Sequence, residues 1–93
     1  MYQVVFSKAF SKNFKKINNS IGGKKIVQEV KVFLRILAEG DKIPETYRDH
    51  QLHGEYVGYR ECHIRGDVLL VYKKENNILQ ITIIDIGSHS YLF

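Results

Sequence analysis

The chain contains no tryptophan, a single cysteine (Cys62) and a single proline (Pro44) in 93 residues. One cysteine cannot form an internal disulfide, which is typical of proteins from a reducing compartment. No apolar run approaches the roughly 20 residues that cross a bilayer, and the first residues lack the basic start and long apolar middle of a secretion signal. These absences exclude a disulfide scaffold and predict a soluble, cytoplasmic protein.

Length and composition predict one small domain over residues 1–93. Apolar residues make up 44 % of the chain, close to the globular average of about 45–50 %, so one core can form without covalent support. The first forty residues carry eight lysines and arginines against two glutamates, whereas the remainder carries six basic and eight acidic residues. A basic front half favours a polyanionic partner through steering and counterion release, although a solvated lysine surface that binds nothing has the same composition.

The first forty residues have the pattern of a strand followed by two helices. Residues 2–6 are rich in β-formers and predict a strand, and Ser7 is placed to cap the first helix. After a Gly-Gly turn, a second helix is predicted from Lys24 to Glu39, with Gly40 at its C-terminal cap. Apolar residues at helical spacing form one stripe on each helix: Phe10, Phe14 and Ile17 on the first, and Ile26, Val30, Phe33, Leu34 and Leu37 on the second. Such a helical hairpin needs a sheet to cover it.

The remaining residues predict a loop and three antiparallel strands. Helical periodicity stops over residues 41–53, so this segment is expected to be a loop. Strands are predicted over residues 55–64, 68–74 and 78–84, and the tail, residues 85–93, is expected to return across the sheet or along its edge. The predicted fold class is therefore α+β: a strand, a helical hairpin and an antiparallel β-meander, with the helices packed on one face of the sheet.

All four histidines lie in two short segments, residues 47–67 and the last seven residues: His50, His53, His63 and His89. Histidine both gives and takes a proton near neutral pH, so this concentration points to acid–base chemistry. Alternation along the strand places Glu61 and His63 on the face opposite Cys62 and Ile64. If Ile64 faces the core, Cys62 is buried and His63 points outward, which argues against a cysteine nucleophile.

Gathered histidines can also bind a metal ion. His50 and His53, however, lie in a predicted loop instead of one turn apart on a helix, and no CxxC or HExxH motif accompanies them. We therefore predict neither a metal site nor a cofactor. His53 itself, between Leu52 and Gly54, is expected to be an ordinary surface residue.

Four motifs in the last half of the chain carry a family resemblance: YRDHQL, GEYxGYRECHIxxD, LLxYK and GSHSxLF. In this order they resemble the YafQ branch of the RelE-type bacterial toxins, and the likeness spans nearly the whole chain. The resemblance implies the compact RelE-like fold. It also implies a toxin of a type II toxin–antitoxin module that acts as a messenger-RNA endoribonuclease.

The resemblance further implies metal-independent cleavage of mRNA in the ribosomal A site, with the ribose 2′-hydroxyl as the nucleophile. Carried over by motif, the catalytic set is His50, His63, Asp67 and His89, and the terminal Phe93 contacts RNA. The roles it suggests are His89 as general acid, His50 aided by Asp67 as general base, and His63 as a stabiliser of the phosphate. One departure from the family pattern is Tyr91, where many relatives have a polar, acidic or small residue.

The partners expected from this resemblance are a cognate antitoxin, the ribosome and mRNA. Further candidates for RNA contact are Arg48 and Arg60, together with lysines of the first helix that would dock on ribosomal RNA: Lys8, Lys12, Lys15 and Lys16. We expect the toxin to be monomeric alone and to form a heterotetramer with antitoxin. The alternatives are a ParE-like, non-catalytic inhibitor of DNA gyrase and an RNA-binding module without turnover. The histidine set favours the enzyme, because binding alone does not require it.

Overall fold

A helical layer covers one face of a five-stranded sheet in the computed structural model, which describes residues 1–93. The elements in chain order are β1 (Gln3–Phe6), α1 (Lys8–Asn18), α2 (Gly23–Glu39), β2 (His50–Gln51), β3 (Arg60–Arg65), β4 (Val68–Glu75), β5 (Gln80–Ser88) and α3 (His89–Leu92). Single 3₁₀ turns occupy Glu45–Tyr47 and Gly54–Tyr56. The predicted α+β class and the strand–hairpin–meander order are confirmed. None of the helices is long and apolar enough to cross a bilayer.

The strands lie in the order β1-β5-β4-β3-β2. β1 pairs with β5 in parallel, and every other neighbouring pair is antiparallel. The first strand therefore lies beside the last one, and the helical hairpin between β1 and the meander folds back over the sheet.

Both helices are capped where the sequence predicts. The Ser7 hydroxyl accepts a hydrogen bond from the Phe10 amide at the start of α1 (3.0 Å), and Gly40 terminates α2 with a left-handed backbone (φ +74°). The core lies between the helices and the sheet, and its fully buried residues include Val30, Phe33, Cys62, Leu70, Tyr72, Ile81, Ile83 and Ile86. The burial of Cys62 confirms the predicted alternation of β3.

The other face of the sheet is also covered, by shorter pieces of chain. Leu69 and Val71 alternate with the core residues of β4 and are nevertheless buried. Tyr56 and Tyr59, from the segment before β3, and the C-terminal α3 lie over this face. This second cover carries the tail histidine and the terminal phenylalanine.

The boundaries of the meander differ from the prediction. The strand predicted over residues 55–64 begins only at Arg60, because Gly54 and Gly58 have positive φ angles and the chain turns between them. The last strand begins at Gln80, after Leu79 adopts a left-handed conformation, and continues to Ser88. The predicted loop 41–53 contains the two-residue strand β2. The tail, expected to return across the sheet or along its edge, first continues β5 to Ser88 and then folds as α3 over the face opposite the core.

Candidate active site

A carboxylate lies between two imidazoles at the edge of the sheet. β2 pairs with β3 so that His50 is opposite Glu61, and His63 lies two residues further along the same face of β3. Oε1 of Glu61 lies 3.4 Å from Nε2 of His50 and 4.0 Å from Nε2 of His63. The two imidazole rings are 6.1 Å apart. Glu61 is 7 % exposed, and a carboxylate this buried is normally stabilised by cationic or hydrogen-bonding partners.

The backbone fixes the tautomer of His50. Its Nδ1 lies 2.8 Å from the carbonyl oxygen of Arg48. A carbonyl oxygen can only accept a hydrogen bond, so Nδ1 carries a hydrogen. The other nitrogen, Nε2, faces the carboxylate of Glu61, and this negative charge stabilises an imidazolium when Nε2 takes up a proton.

Arg48 keeps Nδ1 of His63 without a hydrogen, the opposite of Nδ1 of His50. The guanidinium donates a hydrogen bond to Nδ1 of His63 (3.1 Å), so this nitrogen has its lone pair free for the bond. The pKa of His63 is lowered, chiefly by burial and next by the positive charge of Arg48; His50 and His89 add to the lowering and Glu61 opposes it. The backbone of Arg48 is left-handed (φ +48°), a conformation that is uncommon outside glycine.

Asp67, His89 and Phe93 form a second group beside the first. They line a surface cavity of about 480 Å³ together with Ser88 and Ser90. The rings of His89 and Phe93 meet edge to face at 5.4 Å. His63 lies close to both groups of residues. The charges of His50, in the first group, and of His89, in the second, both lower the pKa of His63.

The carboxylate beside His50 is not the expected one. The family resemblance suggested that Asp67 aids His50. The carboxylate at His50 is Glu61, whereas Asp67 lies in the cavity of His89. Sequence reasoning placed Glu61 on the face of His63 but gave it no role. Alternation along β3 placed Glu61 on the outward face with His63, so nothing local in the chain indicated that this carboxylate is buried. His53 is exposed at the start of a 3₁₀ turn, outside both groups, in keeping with the predicted surface position.

The structure does not bring Arg60 to the histidines. Its guanidinium lies on the helix-covered side of β3 and donates to Oδ2 of Asp49 from Nε (3.0 Å) and Nη2 (2.7 Å). The hydroxyl of Tyr72 donates to the other oxygen of Asp49. The pKa of Arg60 is raised, mainly by its hydrogen bond to Asp49. This triad attaches Asp49, the residue before His50, to the sheet. Arg60 was expected to contact RNA, but its guanidinium is instead bound to Asp49 within the protein.

The remaining predicted residues occupy the surface. The lysines of α1 are all exposed: Lys8, Lys12, Lys15 and Lys16. Cys62, by contrast, is fully buried, and burial raises the pKa of its thiol. A buried, protonated thiol is a poor nucleophile.

His50, Glu61 and His63 offer a donor set for a metal ion. One ligand atom from each lies within 4.8 Å of the others. Two imidazoles and one carboxylate are ligands that zinc and other first-row transition metals accept. The spacing in the sequence did not reveal this set, because the carboxylate and the strand pairing that completes it were not recognised.

Comparison with known proteins identifies relatives for the whole fold. The family model described as a bacterial toxin of type II toxin–antitoxin system, YafQ, matches residues 2–93. A YafQ toxin of Haemophilus influenzae is 37% identical over 75 residues, covering 76% of this chain and 70% of that protein. The mRNA interferase toxin YafQ of Escherichia coli K12 is 37% identical over 51 residues, covering 55% of this chain and 53% of that protein, about half of its length.

Solved structures agree with these matches. YafQ in the E. coli DinJ–YafQ complex superposes with a TM-score of 0.82 and 25% identity, covering 100% of this chain and 99% of that one. A metal-bound toxin from Helicobacter pylori superposes with a TM-score of 0.85 and 30% identity over 100% of both chains.

Proposed function

Because this chain belongs to the YafQ family of bacterial toxins of type II toxin–antitoxin systems, we propose that it is an endoribonuclease that cleaves mRNA in the ribosomal A site and is neutralised by a cognate antitoxin. The E. coli relative is named an mRNA interferase, and a structure of E. coli YafQ contains DinJ. The confirmed α+β fold and family membership support the same activity here.

The observation that carries the proposal is the carboxylate–imidazole cluster with a fixed cation beside it. Cleavage of RNA by its own 2′-hydroxyl needs a group that removes the hydroxyl proton, a charge that stabilises the phosphorane, and an acid for the departing 5′-oxygen. His50, Arg48 and His89 can supply these three functions from one side of the sheet. A protein that only binds its target does not require this set.

The tautomers of His50 and His63 suggest which step of RNA cleavage each residue serves. Nε2 of His50 takes the 2′-hydroxyl proton, and Glu61 stabilises the resulting imidazolium. The 2′-oxygen attacks phosphorus while Arg48 and the neutral His63 contact the phosphate oxygens. His89, with Asp67 in the same cavity, protonates the 5′-oxygen as the phosphorus–oxygen bond breaks, leaving a 2′,3′-cyclic phosphate and a 5′-hydroxyl. General acid and base catalysis contribute about 10²–10⁴-fold each.

Phe93 and the α1 lysines serve binding in this proposal. Phe93 is 44 % exposed and adjoins His89, so its ring is available for stacking on a base, a contact worth about 1–3 kcal/mol. The exposed lysines of α1 would dock the toxin on ribosomal RNA. Free toxin is expected to be a monomer and the antitoxin complex a heterotetramer, which light scattering on the purified protein and on the co-expressed pair would establish.

Induced expression followed by mapping of mRNA 5′ ends on ribosomes tests the activity. We expect new ends within codons for the wild type and their loss with His89→Ala. His53→Ala, which changes an exposed imidazole outside the site, serves as the matched control and should leave cleavage intact. Growth arrest with intact transcripts would contradict the proposal and favour a ParE-like inhibitor of gyrase.

A further inference from the structure

A second cavity of about 240 Å³ adjoins the candidate active site on the sheet face opposite the core. Its lining residues are aromatic and aliphatic except for one acidic residue, Asp85; the others include Tyr56, Tyr59, Val71, Leu92 and Phe93. None of these residues has a role in the acid–base steps above, apart from the ring of Phe93 as a binding surface.

Phe93 separates this cavity from the catalytic one. Its ring packs edge to face on His89 at 5.4 Å and on Tyr56 at 5.0 Å, and it lines both cavities. A nucleotide whose phosphate lies at His89 therefore has the aromatic cavity within reach of its base. Stacking on aromatic rings tolerates every base, so these walls account for binding of a base without selecting one.

Asp85 is directed to this cavity by a β-bulge. Val71 pairs with Asp85 and Tyr72 with Ile83, so Ile84 is an extra residue in β5, and such bulges redirect side chains. Oδ1 of Asp85 accepts two hydrogen bonds of 2.8 Å, from the Ile86 amide and from Nδ2 of Asn13. Oδ2 accepts none from the protein, although Asp85 lines the cavity. This oxygen is not a buried unsatisfied atom, so it has some exposure to solvent.

We propose that this cavity receives one nucleobase next to the scissile phosphate and that Oδ2 of Asp85 selects bases carrying an exocyclic amino group over uracil. The inference rests on the proposed RNA cleavage and names the specificity determinant of the same site. An ionised carboxylate only accepts hydrogen bonds. Adenine, cytosine and guanine each present an exocyclic amino donor. Uracil has a carbonyl oxygen where cytosine has its amino group, and its one donor on this edge, N3–H, lies between two carbonyl oxygens that the negative charge repels.

Two donors hold Oδ1 of Asp85 in place. The exchange of Asp85 for asparagine, which has the same shape, therefore tests the role of Oδ2. In Asp85→Asn, the Ile86 amide and the Asn13 side chain require the amide oxygen at the Oδ1 position. The amide nitrogen then occupies the Oδ2 position and turns an acceptor into a donor. The preference should therefore reverse toward uracil. The expected change is about tenfold or more in relative affinity, the size of one hydrogen bond to a charged group.

Titration of the purified toxin with 3′-CMP and 3′-UMP, followed by the ring resonances of Tyr56 and Tyr59, tests the cavity without requiring cleavage. These nucleotides share a ring size and differ only at position 4, which carries an amino group in cytosine and a carbonyl in uracil, and at N3, which carries a hydrogen in uracil alone. We expect 3′-CMP to bind about tenfold more tightly to the wild type and the order to reverse in Asp85→Asn. Equal affinities, or ring resonances that do not shift, would overturn the proposal.

Mapping of cut sites gives the cellular counterpart. Uracil should be depleted at one position beside the cut for the wild type and enriched there for Asp85→Asn. Tyr91→Phe is the control, because it removes the hydroxyl that hydrogen-bonds Asn13 (3.1 Å) but keeps the bond from Asn13 to Asp85. Identical base frequencies for the wild type and Asp85→Asn would refute the selection, whereas absence of all new ends in the wild type would refute the nuclease activity itself.

Discussion

Oε1 of Glu61 lies 3.4 Å from Nε2 of His50, across the pairing of β2 with β3. This contact brings a histidine from an otherwise irregular segment onto the face of the sheet that carries His63. β2 has only two residues, so its position depends on the contacts of the neighbouring residues in the chain. On the N-terminal side, the attachment is Asp49 with its hydrogen bonds to Arg60 and Tyr72.

Replacement of Glu61 by glutamine should slow cleavage while the protein stays folded. Glutamine keeps the volume of the side chain but removes the charge that stabilises protonated His50. We expect the single-turnover rate on ribosome-bound mRNA to fall between about 10²- and 10⁴-fold. Glu55→Gln, at an exposed position of the 3₁₀ turn, is the matched control and should cleave at the wild-type rate. An unchanged rate in Glu61→Gln would remove the carboxylate from the mechanism.

Arg48→Gln should raise the pKa of His63. The positive charge of Arg48 is the second contribution to the lowered pKa, after burial, so its removal makes protonation easier. Titration of the His63 ring by NMR should show a midpoint at higher pH in the variant. Arg65→Gln, at an exposed position at the end of β3, should leave the midpoint in place. A lower midpoint in Arg48→Gln would contradict the assigned contact.

Asp49→Ala should destabilise the fold. The change leaves the fully buried hydroxyl of Tyr72 and the guanidinium of Arg60 without their acceptor. An unsatisfied buried polar group costs about 1–3 kcal/mol in the free energy of unfolding, which urea denaturation measures. Asp41→Ala, at an exposed position, should change stability by less than about 0.5 kcal/mol. Equal midpoints for the two variants would show that the triad contributes little.

Zinc or copper(II) ions should inhibit cleavage, whereas EDTA should not. The proposed steps use side chains alone, but His50, Glu61 and His63 can jointly bind a metal, and a bound ion would occupy the lone pair needed for proton transfer. Calorimetry should show binding to the wild type, weakened at least about tenfold in His63→Gln and unchanged in His53→Gln. Loss of cleavage in EDTA would instead indicate a metal-dependent reaction.

Local features of the chain were sufficient for much of the fold. The apolar stripes of both helices, the Ser7 cap and the Gly40 terminus act over one or two turns, so their spacing predicts the hairpin. The alternation of Cys62 with His63 predicts which side of β3 meets the core. These features depend on residues close in sequence, and the structure agrees with each of them.

The bounds of the strands were less predictable. Residues 55–59 have the composition of a strand, yet positive φ angles at Gly54 and Gly58 delay β3 until Arg60. Leu79 has a left-handed backbone despite its apolar side chain, so the strand predicted over residues 78–84 starts two residues before β5, which begins at Gln80. A backbone conformation at a turn depends on the strands that the turn connects, which composition does not record.

The sequence by itself determined the residue types of the site: four histidines, their nearby carboxylates and a terminal phenylalanine. Only the tertiary structure decided their neighbours. It placed Glu61 at His50, Asp67 at His89, Arg60 at Asp49 and Asp85 at the aromatic cavity. The physical reason is that these pairings arise from strand register, a β-bulge and the packing of α3. Each of these joins residues whose separation along the chain does not indicate their distance in space.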